Sequence, residues 1–407
     1  MQHTLLLLTF TCLISFSITQ WTPPSTDICG ENCCSPVGTN GNTNPPCPVC
    51  NAPKREPGTQ RIRKEVRTLS SSEWENVVTA FWIMKNTSQS EGAALYGSAF
   101  KNYDYFTSQH AVTTTDLRGD QGHFSAAFMT WHCGFLLQFE NSLLSINPDI
   151  GALPYWDLTR TTPSIFTDQY FGSVPGSGNN GIVSNGQFAY WPIVSNWTIS
   201  DYEPYIDNAS TIGFINSDTG YLRSDGNENK NPYTTRWGKV YNYSPADYEL
   251  CQSVSGYWDN WYSCVEVGIV AGDKLVDGSL HSGPHISIGG SKLLNRGDFR
   301  DVVTSPNDPL FMFHHANLDR SKMWFLFNNQ EKADNFWGFP IVNSSSIVPP
   351  NDIYPGINLN DQMANAWGFT SEDLGIENGP SGLWTHADIL CNVNPATSPY
   401  LYDDMVQ

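Results

Sequence analysis

The sequence predicts a mainly α-helical fold with long irregular loops and a cysteine-rich N-terminal arm. Three apolar segments show the 3–4-residue periodicity of buried helices. The segments between them are rich in Gly, Pro, Asn and Ser, which is typical of turns and loops. Eight of the nine histidines lie beyond residue 100, and seven of those eight fall in two short stretches. These observations predict helices that bring histidines together.

The length and charge of the chain limit the possible classes of protein. The 407 residues suffice for a sizeable core, in either one large domain or two. The 40 acidic and 21 basic side chains give a formal net charge of −19. This balance argues against nucleic acid and anionic membranes as partners, because both repel a negative surface. Beyond the N-terminus no stretch approaches the ~20 apolar residues of a membrane span.

Residues 1–20 have the pattern of a secretory signal peptide. An apolar run from Leu5 to Phe16 is followed by small residues, with cleavage expected near residues 17–20. We therefore expect a secreted, extracellular protein. Five Asn-x-Ser/Thr sequons suit a glycosylated chain; they begin at Asn86, Asn196, Asn208, Asn242 and Asn343.

The cysteines divide the rest of the chain into an arm, residues 21–60, and a domain, residues 61–407. The arm holds five cysteines and is expected to act as a disulfide-stapled clasp, since exported proteins oxidise their thiols. Nine cysteines remain after removal of the signal peptide, so at least one is unpaired. Cys251 and Cys264 flank an aromatic loop and are expected to pair. Cys133 is expected to be a free, buried thiol.

Three helices are predicted in chain order. The first follows the serines before Glu73, an N-cap signature. The second runs from about Ser125 to Ser145 and is apolar on most faces, so it should be deeply buried. The third has Asp308 as its N-cap and runs to about Phe327. Residues 160–260 are expected to loop, with short helices or strands, and residues 340–407 to form a loop-rich tail.

The two histidine clusters are the candidate functional residues: His110, His123 and His132 in the first, and His281, His285, His314 and His315 in the second. A phenylalanine precedes one histidine of each cluster by four residues, on the same helix face. These residues are Phe128 before His132 and Phe311 before His315, so the spacing pairs His315, not His314, with His132. Neutral imidazoles suit copper, zinc and iron, and the clusters lack the carboxylates of magnesium, calcium or two-histidine–one-carboxylate iron sites.

Four segments resemble the tyrosinase/catechol oxidase family, the polyphenol oxidases with a type 3 dicopper centre, and in particular its short secreted fungal branch. They are GHFSAAFMTWHCGFLLQFE at 122–140, PYWD at 154–157, LHSGPH at 280–285 and NDPLFMFHHANLDR at 307–320. The resemblance spans about residues 61–330, and its last motif is highly specific. It implies a four-helix bundle around two copper ions, with O₂ as co-substrate. It implies His110, His123 and His132 on one copper, and His281, His285 and His315 on the other.

The resemblance also implies roles for residues around the copper ions. His314 is expected to lie behind the ligands, and Asp319 and Arg320 to form a buried support pair together with Asp157. An ordinary structural salt bridge is the alternative role for these three residues. Val302 corresponds to the residue over the copper entrance, and its small side chain should admit simple phenols.

Three departures from the family pattern affect the predicted activity. Cys133 replaces the arginine that many members carry after the third histidine. Gln121 and Gly122 precede His123, so no thioether link to this histidine is expected. Ser282 replaces an asparagine thought to help deprotonate monophenols, which argues against monophenol hydroxylation. The tail is also expected to be too short for the C-terminal plug domain of long members.

The favoured interpretation is a secreted catechol oxidase that converts o-diphenols, and potentially o-aminophenols, to o-quinones with O₂ reduced to water. A tyrosinase that also hydroxylates monophenols is the alternative within the class. A haemocyanin-like O₂ carrier and a structural zinc protein are alternatives from other classes. An open entrance at Val302 argues against a carrier, and six histidines without cysteine ligands argue against structural zinc. Small phenols are the expected partners.

Overall fold

The computed structural model describes residues 54–406, apart from 57, 115–119, 196–230, 254–257, 269, 272–273, 276–278, 291–295, 329–360 and 364–368. Within these residues the fold is helical, as predicted. The helices are α1 (Ser71–Asn86), α2 (Gln89–Tyr96), α3 (Tyr103–Thr114), α4 (Ala127–Ile146), α5 (Pro245–Ser253), α6 (Trp258–Glu266), α7 (Ser282–Gly289), α8 (Leu310–Asn328) and α9 (His386–Asn392). The strands are β1 (Arg61–Arg63), β2 (Val270–Ala271), β3 (Lys274–Leu275) and β4 (Tyr400–Tyr402).

The three predicted helices are α1, α4 and α8. Ser70 and Glu73 form a complete capping box at the start of α1. Every residue of α4 from Ala127 to Glu140 is buried, as its apolar character on most faces predicts. Helix α8 begins one residue later than expected, and the Asp308 side chain accepts a hydrogen bond from the Leu310 N–H at 3.0 Å. The pairing of α4 with α8 lies at the centre of the fold.

Helix α3 has no apolar stripe, and no helix was predicted there. Its middle residues Thr107, Ser108 and Gln109 are buried together with Phe106 and His110. Polar side chains are therefore enclosed on faces that periodicity would assign to solvent. The Ser108 hydroxyl donates to Asp104 O within α3, whereas Thr107 Oγ1 and Gln109 Oε1 are buried without a hydrogen-bond partner among the described residues. Their burial follows from the packing of neighbouring helices, which a local pattern does not contain.

The C-terminal tail contributes to the core, and most of its described residues lie outside helices and strands, as the prediction of a loop-rich tail expects. Strand β4 pairs in parallel with β1, with Arg61 opposite Tyr400 and Arg63 opposite Tyr402. Helix α9 packs on α4. The side chains of Trp384, Tyr400 and Tyr402 are fully buried. Residues about 340 positions apart in sequence thus close the domain, a pairing that a local pattern cannot reveal.

A buried network of charges links β1, α4, α8 and β4. The guanidinium of Arg63, fully buried, donates to Glu140 Oε2 at 2.7 Å and to Asp319 Oδ2 at 3.1 Å. The hydroxyls of Tyr400 and Tyr402 donate to the same Asp319 oxygen. The Nζ atom of Lys322 lies 2.8 Å from Asp319 Oδ1. Two cations and two tyrosines therefore hold this carboxylate in place.

Asp319 and Arg320 do not pair with each other; each forms a structural salt bridge with other residues, which is the alternative role stated above. Arg320 follows Asp319 on the helix, so its side chain points about 100° away and reaches a different partner. It forms a 2.6 Å ion pair with Asp404, and the carboxylate of Asp157 lies 3.9 Å away. Asp319 instead pairs with Arg63 and Lys322. Asp157 mainly accepts hydrogen bonds from Thr159.

The described cysteines match their predicted states. Cys251 and Cys264 form a disulfide, and Cys391 is also disulfide-bonded. Cys133 is a free, buried thiol. The signal peptide, the cysteines of the arm and the sequons at Asn196, Asn208 and Asn343 lie outside the described residues. No helix in the described ranges combines the length and apolar character needed to cross a membrane.

Candidate metal centre

Two groups of three histidines face one another in the interior. His110 comes from α3, His132 from α4, and His123 from the loop before α4. His281 directly precedes α7, His285 lies within α7, and His315 lies in α8. In each triad, one nitrogen from every ring lies within 4.8 Å of the other two, and all six residues are buried. These are the same two triads that the sequence predicts.

Backbone carbonyls fix the orientation of three of the rings. The Nδ1–H of His110 donates to Val303 O at 3.0 Å, that of His132 to Phe128 O at 2.8 Å, and that of His285 to Phe299 O at 2.6 Å. A carbonyl oxygen can only accept, so Nδ1 carries the proton and Nε2 carries a lone pair. A hydrogen bond from the ring nitrogen that does not bind the metal usually orients a metal-binding histidine.

His123 is held by a carboxylate. Its Nδ1 lies 3.2 Å from Asp120 Oδ1, and the same oxygen accepts the backbone N–H groups of Gly122 and His123. The Asp120 carboxylate thus closes the turn that carries His123.

Burial keeps the clustered imidazoles uncharged. Desolvation, followed by repulsion from neighbouring histidines, lowers the pKa of His132, His281 and His315 well below its usual value. Desolvation lowers the pKa of His285 to about 4. Neutral imidazole is the form that binds transition metals.

The site fits two metal ions. The Nε2 atoms of His110 and His132 are buried without a hydrogen-bond partner in the described part of the chain. His285 Nε2 and His315 Nε2 face each other at 3.3 Å. Lone pairs that converge in this way need a shared cation, since buried polar atoms are otherwise paired. Two sets of three neutral imidazoles suit copper, and no carboxylate or thiolate belongs to either triad.

His314 lies behind the second triad. Its Nε2–H donates to the carbonyl of His281 at 3.2 Å, and its ring is nearly parallel to that of His281. The ring is fully buried and its nitrogens belong to neither triad. The position therefore matches the prediction of a supporting residue.

The two matched phenylalanines pack on the histidines that follow them by one helical turn. Phe128 lies 4.8 Å from the ring of His132 and 4.5 Å from that of His281. Phe311 stacks on His315 at 3.9 Å. Both rings are fully buried. They form an apolar wall that restricts the rotamers of three histidines.

A pocket of about 280 Å³ opens from the triads to the surface. Its volume is just below the roughly 300–1,000 Å³ of typical small-molecule sites, which suits a single aromatic ring. It reaches His123, His281 and His285, and its rim includes Ser282 and Val302, as predicted. The Val302 side chain is 39 % exposed and leaves the opening clear.

Phe124 and Glu266 are among the pocket residues that were not recognised from the sequence. Phe124 has a positive φ of 53° and is 43 % exposed at the rim, beside His123. Glu266, at the end of α6, is buried; its Oε1 accepts the Phe124 N–H at 2.5 Å. Desolvation raises the pKa of Glu266 well above its usual value. A glutamate 15 residues before His281 has no local motif to mark it.

Comparisons with known proteins agree with this site. The family model for the common central domain of tyrosinase matches residues 100–330, which contain all six histidines. The tyrosinase of Streptomyces lincolnensis is 28% identical over 297 residues, which cover 70% of this chain and 89% of that protein. A tyrosinase-like protein of Diaporthe leptostromiformis is 26% identical over 303 residues, covering 70% of this chain and 66% of that protein.

A solved structure shows the same fold. A mutant of the polyphenol oxidase of Thermothelomyces thermophila superimposes with a TM-score of 0.55 and 19% identity, covering 86% of this chain and 90% of that one. The family match, which covers more than half of the chain, and the two buried triads lead to one conclusion: this chain belongs to the tyrosinase family and has the two three-histidine sites of a dicopper centre.

Proposed function

We propose that the protein is a secreted catechol oxidase, which converts o-diphenols to o-quinones and o-aminophenols to o-quinone imines. Two diphenols would lose four electrons and four protons as one O₂ becomes two waters. The observation that carries this proposal is the pocket, which leads from solvent to histidines of both triads. An O₂ carrier would need phenols to be kept out, and the exposed Val302 rim does not do so.

The proposed copper ligands are His110, His123 and His132 on one side, and His281, His285 and His315 on the other. When bound, the two ions supply two-electron exchange with O₂ and with the diphenol. The chain keeps the Nε2 atoms of His110, His132 and His285 aimed inward through the three Nδ1–carbonyl hydrogen bonds. Phe128 and Phe311 exclude water from the space between the triads.

The surroundings of Ser282 support diphenols over monophenols. The Ser282 hydroxyl hydrogen-bonds with Ser279 Oγ, and the Ser282 N–H donates to the same atom at 2.7 Å. The side chain is therefore engaged within the turn before α7. An asparagine at this position would offer an amide to a proton-transfer network, whereas the short serine is already satisfied.

The position of Glu266 supports a second candidate function, that of a tyrosinase with monophenol hydroxylase activity. Its carboxyl group lines the same pocket as His123 and His281, where it could accept a phenolic proton. Burial argues the other way, because it raises the pKa of Glu266 and so favours the protonated acid over the carboxylate that a base requires.

Oxygen uptake by the copper-loaded protein, with 4-methylcatechol and 4-methylphenol side by side, tests the proposal. We expect fast uptake with the catechol and little with the monophenol, and Ser282→Asn should raise the monophenol rate relative to the catechol rate. Uptake with both after a lag would establish the second candidate. No uptake with either compound, at two copper ions per chain, would overturn both.

Secretion and glycosylation are part of the proposal. The Cys251–Cys264 disulfide suits an oxidising compartment, and the sequon residues Asn86 and Asn242 are both exposed, as attachment of a glycan requires. Expression of the full chain in a eukaryotic host, followed by N-glycosidase treatment, tests this. We expect the protein in the medium, with a loss of mass on treatment; retention in the cells without glycan would contradict it.

A further inference from the structure

Two arginines line the pocket that leads to the histidine triads. Arg296 and Arg300 contribute to the same wall as Val302, next to His285. This is unexpected in a chain with a formal net charge of −19. Basic residues number only 21 in 407, so two of them in the lining of one pocket, which also holds the carboxyl group of Glu266, set this pocket apart from the acidic remainder of the protein.

The backbone holds these arginines at a fixed position relative to the site. Arg300 ends a 3₁₀ turn, Asp298–Arg300, and the preceding carbonyl, that of Phe299, accepts the His285 Nδ1–H at 2.6 Å. The turn packs closely on α7 at Gly289: a Cβ built there would lie 2.4 Å from the backbone nitrogen of Arg300. Glycine thus permits a close approach that ties Arg300 to the helix carrying His285.

The guanidinium of Arg300 has no carboxylate partner among the described residues. Arg300 donates to the carbonyl of Gly290, and no carboxylate in the described part of the chain forms an ion pair with it. Burial and the nearby charge of Arg296 lower the pKa of Arg300. Asp301 lies 3.6 Å from Arg296 but is almost fully buried, behind the pocket wall. Among the described residues, Arg300 therefore has a backbone carbonyl as its partner and no carboxylate.

The remaining rim residues suit an aromatic ring. Ile286 and Val302 expose apolar side chains, 50 % and 39 % accessible, beside the arginines. Phe124 lies at the same opening. A phenol that reaches the triads would place its ring between these side chains, with any substituent directed towards the rim.

We propose that Arg296 and Arg300 form an anion-binding site that takes the carboxylate of the substrate. The preferred substrates are then o-diphenols that carry an acidic side chain on the ring, such as dihydroxybenzoates and dihydroxyphenylacetates. Guanidinium groups bind carboxylates by charge-assisted, often bidentate hydrogen bonds. This inference rests on the proposed function and adds a substrate class to it.

A series of three catechols of equal ring chemistry tests the inference: 4-methylcatechol (neutral), 3,4-dihydroxyphenylacetate (anionic) and 2-(3,4-dihydroxyphenyl)ethylamine (cationic). We expect the anionic compound to have the highest kcat/KM and the cationic one the lowest. The overall charge of the protein alone would produce the reverse order. Highest kcat/KM for the anionic catechol would therefore indicate a local anion site, because the overall negative charge of the protein cannot produce that order.

Substitutions test whether Arg296 and Arg300 cause the preference for the anionic catechol. Arg300→Gln and Arg296→Gln should each lower the ratio of anionic to neutral kcat/KM about tenfold, as expected for the loss of one charge-assisted hydrogen bond. Arg300→Lys, which keeps the charge, should lose less. Arg160→Gln is the matched control, since Arg160 lines a separate pocket and pairs with Glu65. The ratio divides out any general damage to the dicopper centre.

Binding without turnover separates this inference from the proposed function. Calorimetric titration with benzoate and with benzamide should show preferential binding of benzoate, which Arg300→Gln abolishes and Arg160→Gln preserves. Equal kcat/KM for the neutral and anionic catechols, or an unchanged ratio in both arginine variants, would overturn the anion site and leave the oxidase intact. Preferential benzoate binding in a protein that oxidises no catechol would overturn the oxidase and leave the anion site intact.

Discussion

The rings of His314 and His315 are nearly perpendicular, with an interplanar angle of 81° and centroids 5.3 Å apart. Neighbouring residues on a helix point about 100° apart, so the two side chains contact different parts of the protein. His315 Nε2 faces His285 Nε2 at 3.3 Å, whereas His314 Nε2 donates to the carbonyl of His281 at 3.2 Å. One histidine lies in the metal-binding triad and the other supports it.

Replacement of each histidine in turn should separate these roles. His315→Ala should lose one copper ion and nearly all activity, because it removes one of three ligands. His314→Ala should keep both copper ions, with lower stability from the lost buried ring. Metal content by atomic absorption, on protein shown to be folded by circular dichroism, measures the difference. Equal copper loss in both variants would refute the assignment.

Asp319 should be the most sensitive residue of the buried charge network. Asp319→Asn leaves the cations of Arg63 and Lys322 partly uncompensated, so we expect a loss of about 3–5 kcal/mol in the free energy of unfolding. Asp404→Asn is the comparison: its pair with Arg320 is partly exposed and should contribute about 1 kcal/mol or less. Urea denaturation measures both, and equal losses would show that burial does not decide the effect.

The thiol of Cys133 should be unreactive in the folded protein. Burial raises its pKa to about 11, and Lys322 Nζ donates to its sulfur at 2.8 Å. At about pH 8 nearly all of the thiol is therefore protonated. A thiol reagent such as dithionitrobenzoate should label this residue only after unfolding, and Cys133→Ala should remove that signal. Rapid labelling of the native protein would show that the site opens to solvent.

The stability of the copper-free protein should fall in acid, starting near neutral pH. Burial in the folded state lowers the pKa of His132, His281 and His315, that of His285 to about 4 and that of His386 to about 3. The unfolded chain titrates near pH 6.5, so below that value it binds more protons than the folded one. Stability is thus fully present above about pH 6.5 and is lost as the pH falls towards the folded pKa values.

Urea midpoints of the copper-free protein at about pH 7.5, 5.5 and 4.5 measure this loss. His386→Asn removes one titrating group outside the triads and should reduce the slope. A midpoint that stays constant over this range would show that the histidines titrate normally in the folded state. The carboxylate of Asp319, with its pKa lowered to about 2, adds to the loss only in stronger acid.

The sequence alone determined the helical class, the two triads and the choice of His315 over His314. Each of these follows from local information: the periodicity of α1, α4 and α8, the i,i+4 spacing of Phe128–His132 and Phe311–His315, and the 100° step between adjacent helical residues. The motif around His315 added the family and the copper. The state of Cys133 and the Cys251–Cys264 disulfide followed from cysteine counting and position.

Only the tertiary structure decided which residues surround these histidines. Asp319 pairs with Arg63, 256 positions away in sequence, and not with its neighbour Arg320. Glu266 and Arg300 reach the pocket from separate segments, and β4 closes the domain against β1. Such contacts depend on how the helices pack, and any one of many polar residues could satisfy the local pattern. Chain geometry fixes the face on which a side chain lies; packing selects its partner.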